Sequence, residues 1–136
     1  MALSSYKGDP QHIERLRNLF VKDEDVELAV LIGSRAKGTS VDGSDWDIAI
    51  QWCKAMPIVE QFGHAESLRR RLAGALGIDD TDIDLIDMPQ ARLAIRAVIA
   101  EEGIPLKGED TLAWSHFLLR TWRELEDFYW DRQHAA

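Results

Sequence analysis

The stretch DWDIAIQW, Asp45 to Trp52, constrains the fold more than any other segment of the chain. It alternates strictly, and a period of two belongs to a β-strand, whose successive side chains leave opposite faces. Trp46, Ile48 and Ile50 form an apolar face, while Asp45 and Asp47 begin the other face and Ala49 and Gln51 continue it. The two aspartates therefore project the same way, with Cα atoms ~7 Å apart. Like charges side by side are costly unless something positive sits between them. A divalent cation such as Mg²⁺ or Mn²⁺ suits such carboxylate oxygens. Taken alone, a pair of this kind can equally do no more than solubilise a strand end.

The flanking sequence predicts the other elements. GDPQHIERLRNLF starts a helix, with Asp9 as cap, Pro10 at the first position, and Ile13, Leu16, Leu19 and Phe20 on one face. VELAVLIG, Val26 to Gly33, is a short apolar run rich in branched residues and reads as a buried strand. A helix frame runs from Pro57 to Gly77, TDIDLIDM alternates as a third strand, and a second helix frame runs from Pro89 to Gly103. IPLKG is a short extended piece. A final helix covers about 110–132, capped by Asp110 or Thr111. The reading is one α/β (α+β) domain over 1–136: a small mixed sheet backed by helices on one face.

Two further features bear on chemistry. Gly33-Ser34 follows the apolar strand directly; glycine lets the backbone approach a ligand, and Ser34 offers a hydroxyl and an N–H. If Ser34 to Lys37 starts a helical turn, its unpaired N–H groups converge on an anion, and Lys37 adds positive charge one turn along. GSRAKGTS nearly fits a Walker A loop, but Thr39 stands in the lysine slot, so that motif is rejected. Asp84 offers a third carboxylate. It lies between Ile83 and Leu85, well inside its strand, where a charge is expensive without a role. Asp82 and Asp87 lie nearer the ends and read as solvated.

Composition bounds the partners. The net charge of −8 argues against nucleic acid held on a broad basic surface. A single cysteine, Cys53, allows no internal disulfide and suggests no zinc cluster. The polar N-terminus does not read as a signal peptide, and no apolar run approaches the ~20 residues of a membrane span. The expected setting is the cytoplasm.

Together, Gly33-Ser34, ten intervening residues, Asp45, Asp47 one residue on, and Asp84 on a later strand resemble the nucleotidyltransferase superfamily typified by DNA polymerase beta. At this length the chain looks like its minimal members, which pair with HEPN-domain RNase toxins in toxin–antitoxin modules. The resemblance covers about 26–108. It implies that Asp45 and Asp47 are metal ligands and that Asp84 completes the metal site and helps deprotonate the attacking hydroxyl. Gly33 and Ser34 would hold the triphosphate, and Lys37 falls where several relatives place a basic residue. Arg35 could equally be a surface charge. The cofactor would be Mg²⁺, with two ions ~4 Å apart during catalysis. The substrate would be ATP, and the acceptor a hydroxyl of the cognate HEPN toxin, a tyrosine in characterised members.

The remaining residues are read more plainly. Trp114, Leu118, Trp122, Leu125 and Tyr129 form a stripe on the last helix, widened by Phe117 and Phe128. Most of it is assigned to the core, with Tyr129 and Trp130 left over as a surface for a partner. His64 reads as a surface or satisfied histidine, Cys53 as packing beside its strand, and Arg69 to Arg71 as a solvated helix face. Two other functions fit this set: a non-catalytic binding module that occludes a toxin, and a small-molecule nucleotidyltransferase.

Overall fold

The computed structural model describes residues 9–41, 43–53 and 56–135. The N-terminal stretch behind the signal-peptide reading lies largely outside them. The elements are α1 (Pro10–Val21), β1 (Val26–Ile32), α2 (Ser34–Lys37), β2 (Trp46–Trp52), α3 (Ile58–Leu76), a 3₁₀ turn at Asp80–Asp82, β3 (Ile83–Asp87), α4 (Leu93–Glu102), β4 (Ile104–Lys107) and α5 (Leu112–Gln133). The caps follow the sequence. Asp9 accepts from the Gln11 N–H ahead of Pro10, Thr111 accepts from the Trp114 N–H, and Gly77 ends α3 at φ 69°.

The sheet order is β3-β2-β1-β4. β1 runs antiparallel to both β2 and β4, whereas β2 and β3 are parallel. The extended piece IPLKG is thus a fourth strand. It lies at the sheet edge, where Pro105 can sit without leaving a ladder bond unmade. A second difference is at Pro89. It belongs to a turn closed by Gln90 N–H to Asp87 O (3.2 Å) and Ala91 N–H to Met88 O (3.3 Å), and α4 starts only at Leu93.

Helices cover both faces of the sheet, not one. On one side Leu16 and Phe20 of α1 and Leu68, Leu72 and Leu76 of α3 pack against Ala29, Leu31, Ile48 and Ile50. On the other, Ile99 of α4 and Phe117 of α5 pack against Leu28, Val30, Ile32 and Ala49. The apolar run of β1 requires this arrangement, because its successive side chains alternate between the faces and both sets are apolar. Gly103 lets α4 pass directly into β4, since a Cβ there would collide with the Val30 side chain.

Phe20 is fully buried between α1 and the sheet. Phe20→Ala is expected to cost about 3–5 kcal/mol by the transfer and cavity terms, read from urea unfolding. A loss below about 1 kcal/mol would contradict this packing.

Candidate active site

One row across the sheet gathers the polar residues. Ile32, the last residue of β1, is the partner of Asp47, and Asp47 is the partner of Asp84. The odd positions of β2 face the α4–α5 side, as the burial of Ala49 in that cluster shows. Ile86 and Met88 lie on the same side, so Asp84, two residues before Ile86, shares it. The structure therefore brings Asp47 and Asp84 together. Asp45 is exposed and lies one residue before the strand proper.

Burial holds the Asp47 carboxyl above its ordinary pKa, and the charges of Asp84 and then Asp45 push it the same way. Asp84 and Asp45 thus both act electrostatically on Asp47. Among the described residues no group of three His, Cys, Asp or Glu side chains is gathered closely enough to hold a metal ion. The donor set is nonetheless all carboxylate oxygen, the chemistry that suits Mg²⁺.

The glycine turn closes on the same row. Gly33 caps α2 at φ 78° and ψ −159°, a region open essentially to glycine alone. A Cβ at this position would lie 2.5 Å from Asp47 Oδ2. Glycine is therefore required both by the backbone and by the close approach of the carboxylate. The Ala36 and Lys37 N–H groups donate to the Gly33 carbonyl at 3.0 and 3.1 Å. The N–H groups of Ser34 and Arg35, at the start of this single turn, have no helical carbonyl ahead of them.

The basic residues behave differently from the sequence reading. The Lys37 ammonium pairs with Glu102 Oε1 at 3.0 Å, at the end of α4. Phosphate binding by Lys37 would exchange that pair. Arg35, read as a possible surface charge, is a strut for the loop before β2. It donates to the Ser44 carbonyl (2.9 and 3.3 Å) and to Ser40 Oγ (3.4 Å), and it lies 4.7 Å from the centre of the Trp46 ring. Its role was missed because the contact spans nine residues and carries no local motif.

Two carboxylates exchange environments relative to expectation. Asp84 is exposed near the start of β3, an outer strand, so burial does not explain its presence there. Asp87, expected in solvent, is half-buried, and that burial raises its pKa. The plainer reading holds for His64, paired with Asp25 at 3.3 Å, whereas Cys53, expected to pack beside its strand, is exposed, and its thiol donates to the Glu24 carbonyl at 3.0 Å.

Residues 14–112, more than half of the chain, match the family described as polymerase beta, nucleotidyltransferase. The chain belongs to this nucleotidyltransferase family. No curated protein matches it significantly. Among solved structures, it is similar to a chain of a toxin–antitoxin with AMP-PNP, at 25% identity over 90% of each chain with a TM-score of 0.63. It is also similar to a chain of the complex between a tri-AMPylated Shewanella oneidensis HEPN toxin and its MNT antitoxin. There the identity is 21%, over 89% of this chain and 92% of that one, with a TM-score of 0.60. A chain of the toxin–antitoxin MntA–HepT is 21% identical over 90% and 91%, with a TM-score of 0.58. The latter two, below a quarter identical, speak for the fold alone. Among the described residues no helix is long and apolar enough to cross a membrane.

Two outcomes follow from this geometry. Gly33→Ala should lose about 1–3 kcal/mol in chemical denaturation, from backbone strain at a glycine-only conformation; an unchanged stability would contradict it. Asp47→Asn should raise the melting temperature near neutral pH. The raised folded pKa means that ionisation disfavours the fold above that value, and the penalty vanishes below the ordinary 3.8, where both states are protonated. Melting curves against pH check this: the advantage of the variant should fade as pH falls, and a gain that persists in acid would contradict it.

Proposed function

We propose that this chain is the antitoxin of a toxin–antitoxin pair and transfers AMP from ATP to a hydroxyl, tyrosine in the first instance, of a HEPN-domain toxin, thereby neutralising it. The observation that carries the reading is the alignment of Asp47 with Asp84 in one row, closed by Gly33. Membership of the nucleotidyltransferase family supports transferase chemistry, and the likeness to toxin–antitoxin complexes supports the partner.

In this reading the acceptor oxygen attacks the α-phosphorus of ATP in line. A new O–P bond forms, the bond from the α-phosphorus to the bridging oxygen breaks, and pyrophosphate leaves with the electron pair. The proton of the hydroxyl passes to the Asp84 carboxylate. A tyrosine, with a pKa of ~10, needs such help near neutrality. The Gly33-Ser34 turn positions the triphosphate, and Arg35 holds the neighbouring loop in place. Asp45, Asp47 and Asp84 would hold Mg²⁺, which when bound would neutralise phosphate charge. Catalysis rests on positioning and electrostatics.

The last helix supplies a surface for the partner. Trp122, Phe128, Tyr129 and Trp130 are exposed, with Tyr129 and Trp130 at about 60%. Trp122 was expected in the core, and Tyr129 and Trp130 at the surface. α5, at 22 residues, spans ~33 Å, whereas the longest strands, at 7 residues, span ~23 Å. The end of α5, with Tyr129 and Trp130, therefore reaches further than the sheet can cover. The same aromatics favour a second reading, a binding module that occludes the toxin without modifying it.

Intact-mass spectrometry of the cognate HEPN protein after incubation with this chain, ATP and Mg²⁺ separates the two. AMP-sized increments are expected, reduced at least roughly 100-fold by Asp45→Asn/Asp47→Asn, on the scale of losing a transition-state-stabilising group. Chelation of Mg²⁺ should abolish them. Full transfer by the double variant would sink the enzymatic reading, and a tight complex without increments would favour occlusion.

A further inference from the structure

A second feature lies on the strand that carries Asp84. β3 is an outer strand of the sheet, and among the described residues nothing pairs with its outer edge. Beside it, the first half of α3 leaves Ile58, Val59 and Phe62 at 68%, 83% and 70% exposure. Between helix and strand runs a groove of about 150 Å³, lined by Ile50, Trp52, Ile58, Phe62, Leu85 and Asp87 among others. An apolar cavity of about this volume holds a benzene-sized group. The groove lies on the α1–α3 side of the sheet, the side opposite α5, so it is separate from the aromatic surface described above.

Asp87 decides what fits there. Its carboxyl is half-buried in this apolar setting, and burial raises its pKa. Among the described residues it has no basic partner within ion-pair distance, only the Gln90 N–H. A carboxylate partly withdrawn from water favours a cation beside it. A second copy of this chain, with its net charge of −8, would bring like charge to an edge that already carries Asp84 and Asp87. A basic segment of a different protein is the complementary occupant.

We infer that this groove seats the acceptor polypeptide, through one large apolar side chain placed against Trp52 and Phe62 and a lysine or arginine set beside Asp87. The inference rests on the proposed function for the identity of that polypeptide. Its spacing is consistent with delivery of a hydroxyl. Asp84 and Asp87 are three residues apart on β3, ~10 Å along an extended strand. A segment lying along the β3 edge therefore reaches the aspartate row within a few residues of its anchor. The free edge also offers main-chain hydrogen bonds to such a segment.

The test compares wild type with Ile58→Ser/Phe62→Ser and with Asp87→Asn, using the cognate HEPN protein as acceptor. Both serine positions are exposed, so the variants should fold, which melting curves check. The expected result is an acceptor KM raised roughly 10-fold or more by the double serine variant, on the scale of losing an anchoring contact. Asp87→Asn should raise it several-fold, Asp87→Glu should recover part of that loss, and the affinity for AMP-PNP should stay unchanged throughout. An acceptor KM within twofold of wild type in both variants would overturn the inference. A photo-crosslinker placed at position 62 gives a readout independent of transfer. Capture of the HEPN protein supports the groove even if wild type transfers no AMP, an outcome that would count against the proposed function alone. Capture of a second copy of this chain, or of neither protein, would overturn it.

Discussion

The parallel pairing of β2 with β3 is the constraint on which the rest of the structure depends. It sets Asp47 beside Asp84, and the antiparallel pairing of β1 with β2 sets Ile32 beside Asp47. Gly33 follows Ile32, so the turn arrives over the same carboxylate. A slip of one residue in β3 would turn Asp84 to the opposite face and bring Ile83 or Leu85 into the row. That slip is opposed by Ile83 and Leu85, which pack with α1 and α3, and by Met88 on the other side. The hydrophobic pattern therefore sets the position of the charges.

Much of this was legible in the sequence, for physical reasons that differ by residue. Strict alternation in DWDIAIQW left only one way to divide polar from apolar, and the strand follows it from Trp46 onward. Helix ends marked by Asp9 and Gly77 were equally plain, because caps act locally, and of the two caps offered for the last helix the structure uses Thr111. Pairing partners were not legible. Whether IPLKG joins the sheet, and whether helices lie on one face or two, depends on contacts between segments distant in the chain. The apolar run of β1 held the second answer, since both of its faces need cover. Asp84 was selected for a burial it does not have: a 3₁₀ turn takes Asp80–Asp82, so the strand starts only at Ile83 and Asp84 stands exposed at its beginning.

The basic residues show the same limit. Arg35 and Lys37 sit two positions apart, yet one braces a loop and the other pairs with the end of α4. Nothing local separates their roles. The long last helix adds a further case. Its stripe has the spacing of a core, but a core needs something to cover it, and the short sheet ends before the helix does. What remains exposed, on α5 and at the edge beside α3, is the apolar surface that a partner can use. An acidic row at one end of the sheet and two apolar surfaces flanking it suit the proposed transfer from a nucleotide to a protein.

The most direct measurement of the central claim is a titration of Mn²⁺ into ¹³C-labelled protein with AMP-PNP present, reading the aspartate carboxyl signals by NMR. The account predicts that Asp45, Asp47 and Asp84 broaden together and first, and that Asp87, ~10 Å further along β3, broadens only at higher Mn²⁺. Broadening that passes over Asp84, or that begins at Asp87, would contradict the aspartate row as the nucleotide-transfer site.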